Sequence, residues 1–210
     1  MADLTLFSNP WSRGRIARWM LEEVGQPYDT IVLDYASTMK GADYLAINPM
    51  GKVPAVRHGT RVVTECAAIC AYLADAFPQA GLAPPPSDRA DYYRWLFFAA
   101  GPLEQAVTNH AVGWDPDPEK KRMFGYGSYD DTVAALETAL AGCDWIGGPD
   151  FTAADVYVGA AVTWGVQFGT LPDSPAFRAY RQRVTARPAY ARATELDDAA
   201  AAAMRTEAAT

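Results

Sequence analysis

With 210 residues, half of them apolar, the chain can bury a substantial core and form one large domain or two small ones. Its net charge of −7 argues against a nucleic-acid partner, whose phosphates need a basic footprint. Three cysteines (Cys66, Cys70 and Cys143) are too few and too oddly numbered for a disulfide framework, which suits a reducing, cytoplasmic compartment.

The opening "MADLTLFSNP" lacks the basic lead and long apolar run of a signal peptide. "LTLFS" (4–8) reads as a strand and "NPW" as a turn. Ser12 then opens a helix whose apolar positions Ile16, Trp19, Met20 and Val24 share one face, with Gly25 as its stop. "DTIVL" (29–33) is a second strand, and "ADYLAIN" a short helical or irregular piece. "VPAVR" (53–57) and "RVVT" (61–64) are joined by "HGT", a hairpin signal because Gly59 permits positive φ, with His58 as an exposed hairpin residue. Residues 65–77 form a helix with Ala68, Ile69, Tyr72 and Leu73 inward. The total is β-α-β-β-β-α, a thioredoxin-like unit over residues 1–78. Pro54, second in its strand, stands out because proline removes a ladder donor and belongs on an edge, at a strand's first residue or at a bulge.

"QAGLAPPPSD" (79–88) breaks regular structure, and its three prolines make 79–87 a semi-rigid linker. From residue 88 to 210 every segment has helical period. Residues 92–112, 129–141 and 177–184 each carry an apolar face, and no strand alternation is convincing there. The charge-free stretch 156–172 is short for a membrane span and reads as a buried helix. "FTAADV" places Thr152 as N-cap and Asp155 three residues on, a capping box, with Phe151 and Val156 set as a hydrophobic staple. The final "AAAAAMRTEAAT" reads as a fraying helix or loose tail.

Four stretches in this order, "SNPWSRGRIARWMLEE", "NPMGKVPAV", "TECAAICAYL" and "FTAADV", resemble the glutathione transferase superfamily over nearly the whole length. The resemblance implies a cytoplasmic, homodimeric enzyme of a serine-type bacterial class, in which the thiolate of bound glutathione attacks a small apolar electrophile or a peroxide oxygen. It implies a cis bond before Pro54, which aims the N–H and C=O of Val53 at the cysteinyl backbone of glutathione like an added strand. Lys52 would meet the glycyl carboxylate. Glu65 would meet the γ-glutamyl ammonium, and the Cys66 N–H, at a helix N-terminus, its carboxylate. Relatives usually carry Ser or Thr where this chain has Cys66, and a thiol is the poorer donor.

Ser12 stands where many relatives keep a thiol-activating hydroxyl, and it also reads as a plain N-cap; Ser8, at the strand end, is the competing hydroxyl. Cys66 and Cys70 lie one helical turn apart, but two ligands do not make a metal site, and Cys70 reads as a small buried apolar residue. Trp11, His110, Trp114, Phe124 and Tyr126 are candidates for the electrophile pocket, or equally for ordinary core. Arg13 and Arg15 read as solvated helix charges or anion-facing groups. No phosphate-cradling glycine loop or metal-ligand cluster is evident, so no nucleotide or metal cofactor is implied, and neither is a membrane. The rival reading is a non-catalytic interaction or regulatory module on the same fold.

Overall fold

The computed structural model describes residues 3–207. Chain contacts divide it into two compact units, one holding the chain up to Leu82 together with everything from Ala186 on, the other holding Ala83–Thr185. The last helix thus groups with the first unit, whereas the sequence reading placed it in a helical domain running from 88 to 210.

In the first unit, β1 (Leu4–Ser8), α1 (Gly14–Val24) and β2 (Tyr28–Val32) form a β-α-β motif. A single turn of helix, α2 (Ala42–Leu45), precedes β3 (Ala55–His58), β4 (Arg61–Thr64) and α3 (Cys66–Ala76). The sheet order is β2-β1-β3-β4, with β1 and β2 parallel and the other neighbours antiparallel. This is the thioredoxin-like arrangement expected. β1 is buried along its whole length, as a central strand must be. β3 begins at Ala55 and not at Val53, so Pro54 precedes the ladder and removes no donor from it. Ser12 lies outside the helix proper, since α1 begins at Gly14, but its Oγ does accept the Gly14 N–H at 2.9 Å. Gly25 ends α1 at φ 71°, and Gly59 turns the hairpin at φ 57°. His58 is tied down on both ring nitrogens, Nδ1 to the Tyr72 hydroxyl at 2.9 Å and Nε2 to Asp3 at 3.1 Å, so it is not a loose hairpin residue.

α1 buries Ile16, Ala17, Trp19, Met20, Leu21 and Val24, and packs on α3, which buries Cys66, Ile69, Cys70, Leu73 and Ala74. Each fully buried side chain of this kind contributes about 1.5–3 kcal/mol. On another side α1 meets α9 (Pro188–Glu207), where Trp19 packs edge-on to Tyr190 at 5.0 Å and ion pairs surround the contact. Arg187 forks onto Glu23 with two contacts of 2.7 Å, Arg192 reaches Glu22 at 3.1 Å, and Arg15 reaches Asp198 at 2.6 Å. In their midst the Arg18–Asp197 pair, at 2.8 Å, is buried on both sides. Arg18 also donates to Tyr28 and Thr30. Burial pushes the Asp197 carboxyl above its ordinary range against the pull of Arg18. Residues 199–207, read as a fraying helix or loose tail, continue α9; 208–210 lie outside the described residues.

The second unit holds α4 (Ala90–Phe98), α5 (Glu104–Ala111), α6 (Tyr129–Ala141), α7 (Ala153–Phe168) and α8 (Pro175–Thr185). The continuous helix expected over 92–112 is interrupted by a π-helical turn at Ala99–Leu103. Pro102 has no N–H to give the carbonyl four residues back, so the chain widens by one turn there. α7 starts in the expected capping box. Its Asp155 is fully buried and accepts from the Thr152 N–H, the Ile146 N–H and the Tyr180 hydroxyl, which fastens the start of α7 to α8. Among the described residues no helix is long and apolar enough to cross a membrane.

Removing one partner of a buried ion pair leaves the other charge uncompensated, at a cost of about 3–5 kcal/mol. Asp197→Asn is expected to lose stability on that scale in urea unfolding. The double variant Arg18→Met, Asp197→Leu should recover much of the loss, because no buried charge is then left. A loss below about 1 kcal/mol for the single variant would show that the pair does not fasten α9.

Candidate functional site at one end of the sheet

Strand register decides where the chemistry gathers. Phe7 of β1 pairs with Ala55 of β3, and Ala55 pairs with Thr64 of β4. The ends of β1 and β4 and the start of β3 therefore lie at one end of the sheet. The residues just beyond them are Asn9, Pro54 and Glu65. Both α1 and α3 begin at this same end, so the positive ends of two helix dipoles are brought to it.

The turn from β1 to α1 is organised by Asn9, which is wholly buried. Its Nδ2 donates to the Leu33 carbonyl at 2.8 Å, and its Oδ1 accepts the Trp11 N–H at 3.0 Å. Its carbonyl accepts the Ser12 N–H at 3.0 Å and the Ser12 hydroxyl at 2.7 Å. Ser12 is half-buried, and its hydroxyl proton is directed at this carbonyl. Ser8 is 1% exposed and its Oγ has no hydrogen-bond partner among the described residues. It lies against Gly14, where an added Cβ would collide with it and force the Ser8 side chain to move. Arg15 donates to the Pro10 carbonyl at 2.6 Å while holding Asp198, and Arg205 of α9 lies 5.7 Å over the Trp11 ring. Arg13 is exposed.

The second segment is Gly51–Pro54. The Val53–Pro54 bond is cis, as the sequence resemblance implied. Lys52 is exposed, and its carbonyl accepts the Tyr44 hydroxyl and the Asn48 Nδ2, each at 2.7 Å. The Gly51 carbonyl accepts Lys40 Nζ at 2.6 Å.

The third segment is the start of α3. Glu65 is exposed and holds φ 66°, ψ 119°, the one positive φ outside glycine among the described residues. Such a conformation costs on the order of 1–3 kcal/mol and concentrates where a side chain must be held in a set direction for function. Cys66 is buried and its Sγ donates to the Arg13 carbonyl at 3.4 Å, joining the starts of the two helices. Cys70 is wholly buried, and burial pushes its thiol well above the ordinary range, so it is an unreactive packing residue.

The structure therefore brings Ser12, Lys52, Val53, Pro54, Glu65 and Cys66 to one end of the first unit's sheet. Of the pocket candidates, only Trp11 (48% exposed) belongs to that unit. In the second unit His110 stacks on Tyr129 at 4.0 Å and binds Asp115 at 3.0 Å. Trp114 is half-exposed against Phe124, while Tyr126 is buried with its hydroxyl accepting from Asn109. Sequence reasoning passed over Asn9, Tyr44 and Asn48. The signal was an Asn in each of the two "NP" turns, an arrangement in which the side chain bonds nearby backbone. The second unit also holds an open groove of about 700 Å³ between the end of α6 and the start of α8, lined by Cys143, Asp144 and Arg183. No reactive group presents itself there. Arg183 donates to the carbonyls of Cys143 and Asp144, and burial pushes the Cys143 thiol up.

Residues 10–76 match the family model of the glutathione S-transferase N-terminal domain. Glutathione S-transferase GST-4.5 of Xanthomonas campestris is 31% identical over 181 residues, which span 76% of this chain and 82% of the relative. Glutathione S-transferase GstA of Escherichia coli O157:H7 is 30% identical over 193 residues, 88% of this chain and 94% of the relative. A sphingomonad glutathione S-transferase solved in complex with glutathione is 30% identical, with a TM-score of 0.75 over 92% of this chain and 98% of that one. A glutathione transferase from Methylococcus capsulatus has a TM-score of 0.76 at 27% identity, over 93% of this chain and 98% of that one.

The backbone at Glu65 can be tested apart from any ligand. Only glycine removes the penalty of a positive φ, so Glu65→Gly is expected to be more stable than Glu65→Ala by about 1 kcal/mol in urea unfolding. Equal stabilities would mean that the conformation stores no strain.

Proposed function

We propose that this chain, a member of the glutathione S-transferase superfamily, conjugates glutathione to a small apolar electrophile at the sheet end described above. The observation that carries the reading is the register-enforced meeting of the Val53–Pro54 edge, the strained Glu65 and the starts of α1 and α3.

The residues fit a short anionic peptide. Among the described residues no backbone hydrogen bond uses the Val53 N–H, which leaves a donor for the cysteinyl backbone. Lys52 supplies an exposed ammonium for the glycyl carboxylate. Glu65 supplies a carboxylate for the γ-glutamyl ammonium, and the N-terminus of α3 at Cys66 favours the neighbouring carboxylate. Glutathione provides the attacking sulfur. A carbon–sulfur bond forms as the leaving group departs with its electron pair, and the thiol proton passes to water. The protein's part is to hold the sulfur as thiolate at the start of α1, with Ser12 donating to it. Trp11, half-exposed beside the start of α1, is proposed to face the electrophile. The reading includes a cytoplasmic homodimer, on family likeness.

Two observations favour a non-catalytic relative on the same fold. The Ser12 proton is engaged by Asn9, and the Cys66 thiol turns inward to Arg13. Calorimetry with glutathione separates the readings first. Binding tighter than roughly millimolar is expected, and weaker binding points to the non-catalytic module.

Ser12 then decides the mechanism. To reach a sulfur its hydroxyl gives up the Asn9 carbonyl, so the net gain is that of one exchanged hydrogen bond, about 0.5–1.5 kcal/mol. This corresponds to roughly 0.4–1 pKa unit. Ser12→Ala is expected to raise the pKa of bound glutathione by that amount, with Ser8→Ala causing no shift because Ser8 is sealed behind Gly14. Thiolate absorbance of the complexes against pH reads this out. A shift in Ser8→Ala alone would transfer the role to Ser8, and a shift in neither would leave activation to the helix end.

A further inference from the structure

We propose that Tyr44 and Asn48 are positioning residues, which saturate the Lys52 carbonyl from inside and thereby turn the Val53 N–H out toward the bound peptide. The inference rests on the glutathione-site reading above and deepens it. It begins from the peptide unit. The Lys52–Val53 bond is trans, since the only cis bond among the described residues is the next one. In a planar trans peptide the C=O and the N–H share one plane and point in opposite directions. Whatever fixes the carbonyl therefore fixes the amide.

The carbonyl is fixed twice. A carbonyl oxygen has two lone pairs, and here the Tyr44 hydroxyl and the Asn48 Nδ2 occupy them, each at 2.7 Å. Rotating the plane would break both bonds together. The two donors are themselves held in place. Tyr44 is 3% exposed, sits in the cluster of Phe7, Leu33, Met39 and Ala55, and packs on Phe7 with ring centroids 5.7 Å apart. Burial pushes its hydroxyl up to about 12, so it is a neutral donor across the physiological range. Asn48 is buried, and its Oδ1 accepts the Met50 N–H at 3.1 Å, which sets its Nδ2 toward Lys52. The Val53 side chain packs against the same apolar cluster, holding the other end of the unit. The amide direction is thus inherited from the hydrophobic core, and the docking edge is organised before any ligand arrives.

The experiment uses the full chain carrying Tyr44→Phe, which keeps the ring and removes one donor, and Asn48→Asp, which keeps the Met50 contact and replaces the second donor with an acceptor. Tyr44→Phe is expected to raise the glutathione Kd and KM about threefold to tenfold, the worth of one hydrogen bond. Asn48→Asp should raise them further, with kcat at saturating glutathione falling less than Kd rises. In the ligand-free protein, the Val53 amide resonance is expected to shift and broaden in both variants. A lower melting temperature with an unchanged Kd and an unchanged Val53 amide would make Tyr44 a packing residue and overturn the proposal. If the unaltered chain does not bind glutathione, the functional reading falls. A Val53 amide that still moves in Tyr44→Phe then supports the clamp, and one that does not move overturns it in either case.

Discussion

The structure depends on a constraint at one end of a four-stranded sheet, where a buried turn must satisfy its backbone without water. An unpaired buried amide or carbonyl costs about 1–3 kcal/mol, and Asn9 meets this demand nearly alone. It ties the turn to the chain leaving β2 through Leu33, folds Trp11 back, and engages Ser12 through both its amide and its hydroxyl. With the turn so held, α1 starts close enough to β1 that a Cβ at position 14 would press on the Ser8 side chain. Its first residues then come near enough to α3 for the Cys66 thiol to reach the Arg13 carbonyl. The geometry of the whole end follows from that anchoring.

A second kind of order surrounds it. The core of the first unit is apolar in the usual way, and the last helix adds ion pairs to its own apolar contact, where Tyr190 meets Trp19. Four arginine–carboxylate pairs line the α1–α9 contact, from Glu23 at one end of α1 to Arg15 at the other. Exposed pairs of this sort contribute little individually, and the buried pair opposes its own desolvation. What such a set supplies is registry, since only one alignment of the two helices satisfies all four. Arg15 makes that registry relevant to the site, because the same guanidinium that holds Asp198 also holds the Pro10 carbonyl of the turn.

The sequence was legible wherever apolar periodicity met a turn signal. The strands, the Gly25 stop, the Gly59 hairpin and the Thr152–Asp155 capping box each rest on such a local rule, and each is present. Strand register carries residues 9, 54 and 65 to one sheet end, which gathers Ser12, Lys52, Val53, Pro54, Glu65 and Cys66 there, while His110, Trp114 and Tyr126 belong to the other unit. Failures came where the deciding interaction was long-range or polar. Arg15, Arg18, Asp197 and Asp198 look like solvated charges along a line of sequence, and only the fold shows that they face each other across 180 residues or so. The π turn at Pro102 was readable in principle, since a proline inside a helical pattern cannot complete its bond. The role of Tyr44 was not readable, because a tyrosine in an apolar run gives no sign of which carbonyl its hydroxyl will meet.

In the proposed complex glutathione lies along the Val53 edge, between the starts of α1 and α3. Amide chemical shifts followed during a glutathione titration of the isotope-labelled chain test this most directly. The expected result is a set of large changes confined to Trp11–Gly14, Lys52–Val53 and Glu65–Ala67, with the groove between α6 and α8 silent. Changes centred on Cys143, Asp144 and Arg183, or none at the sheet end at saturating glutathione, would contradict it.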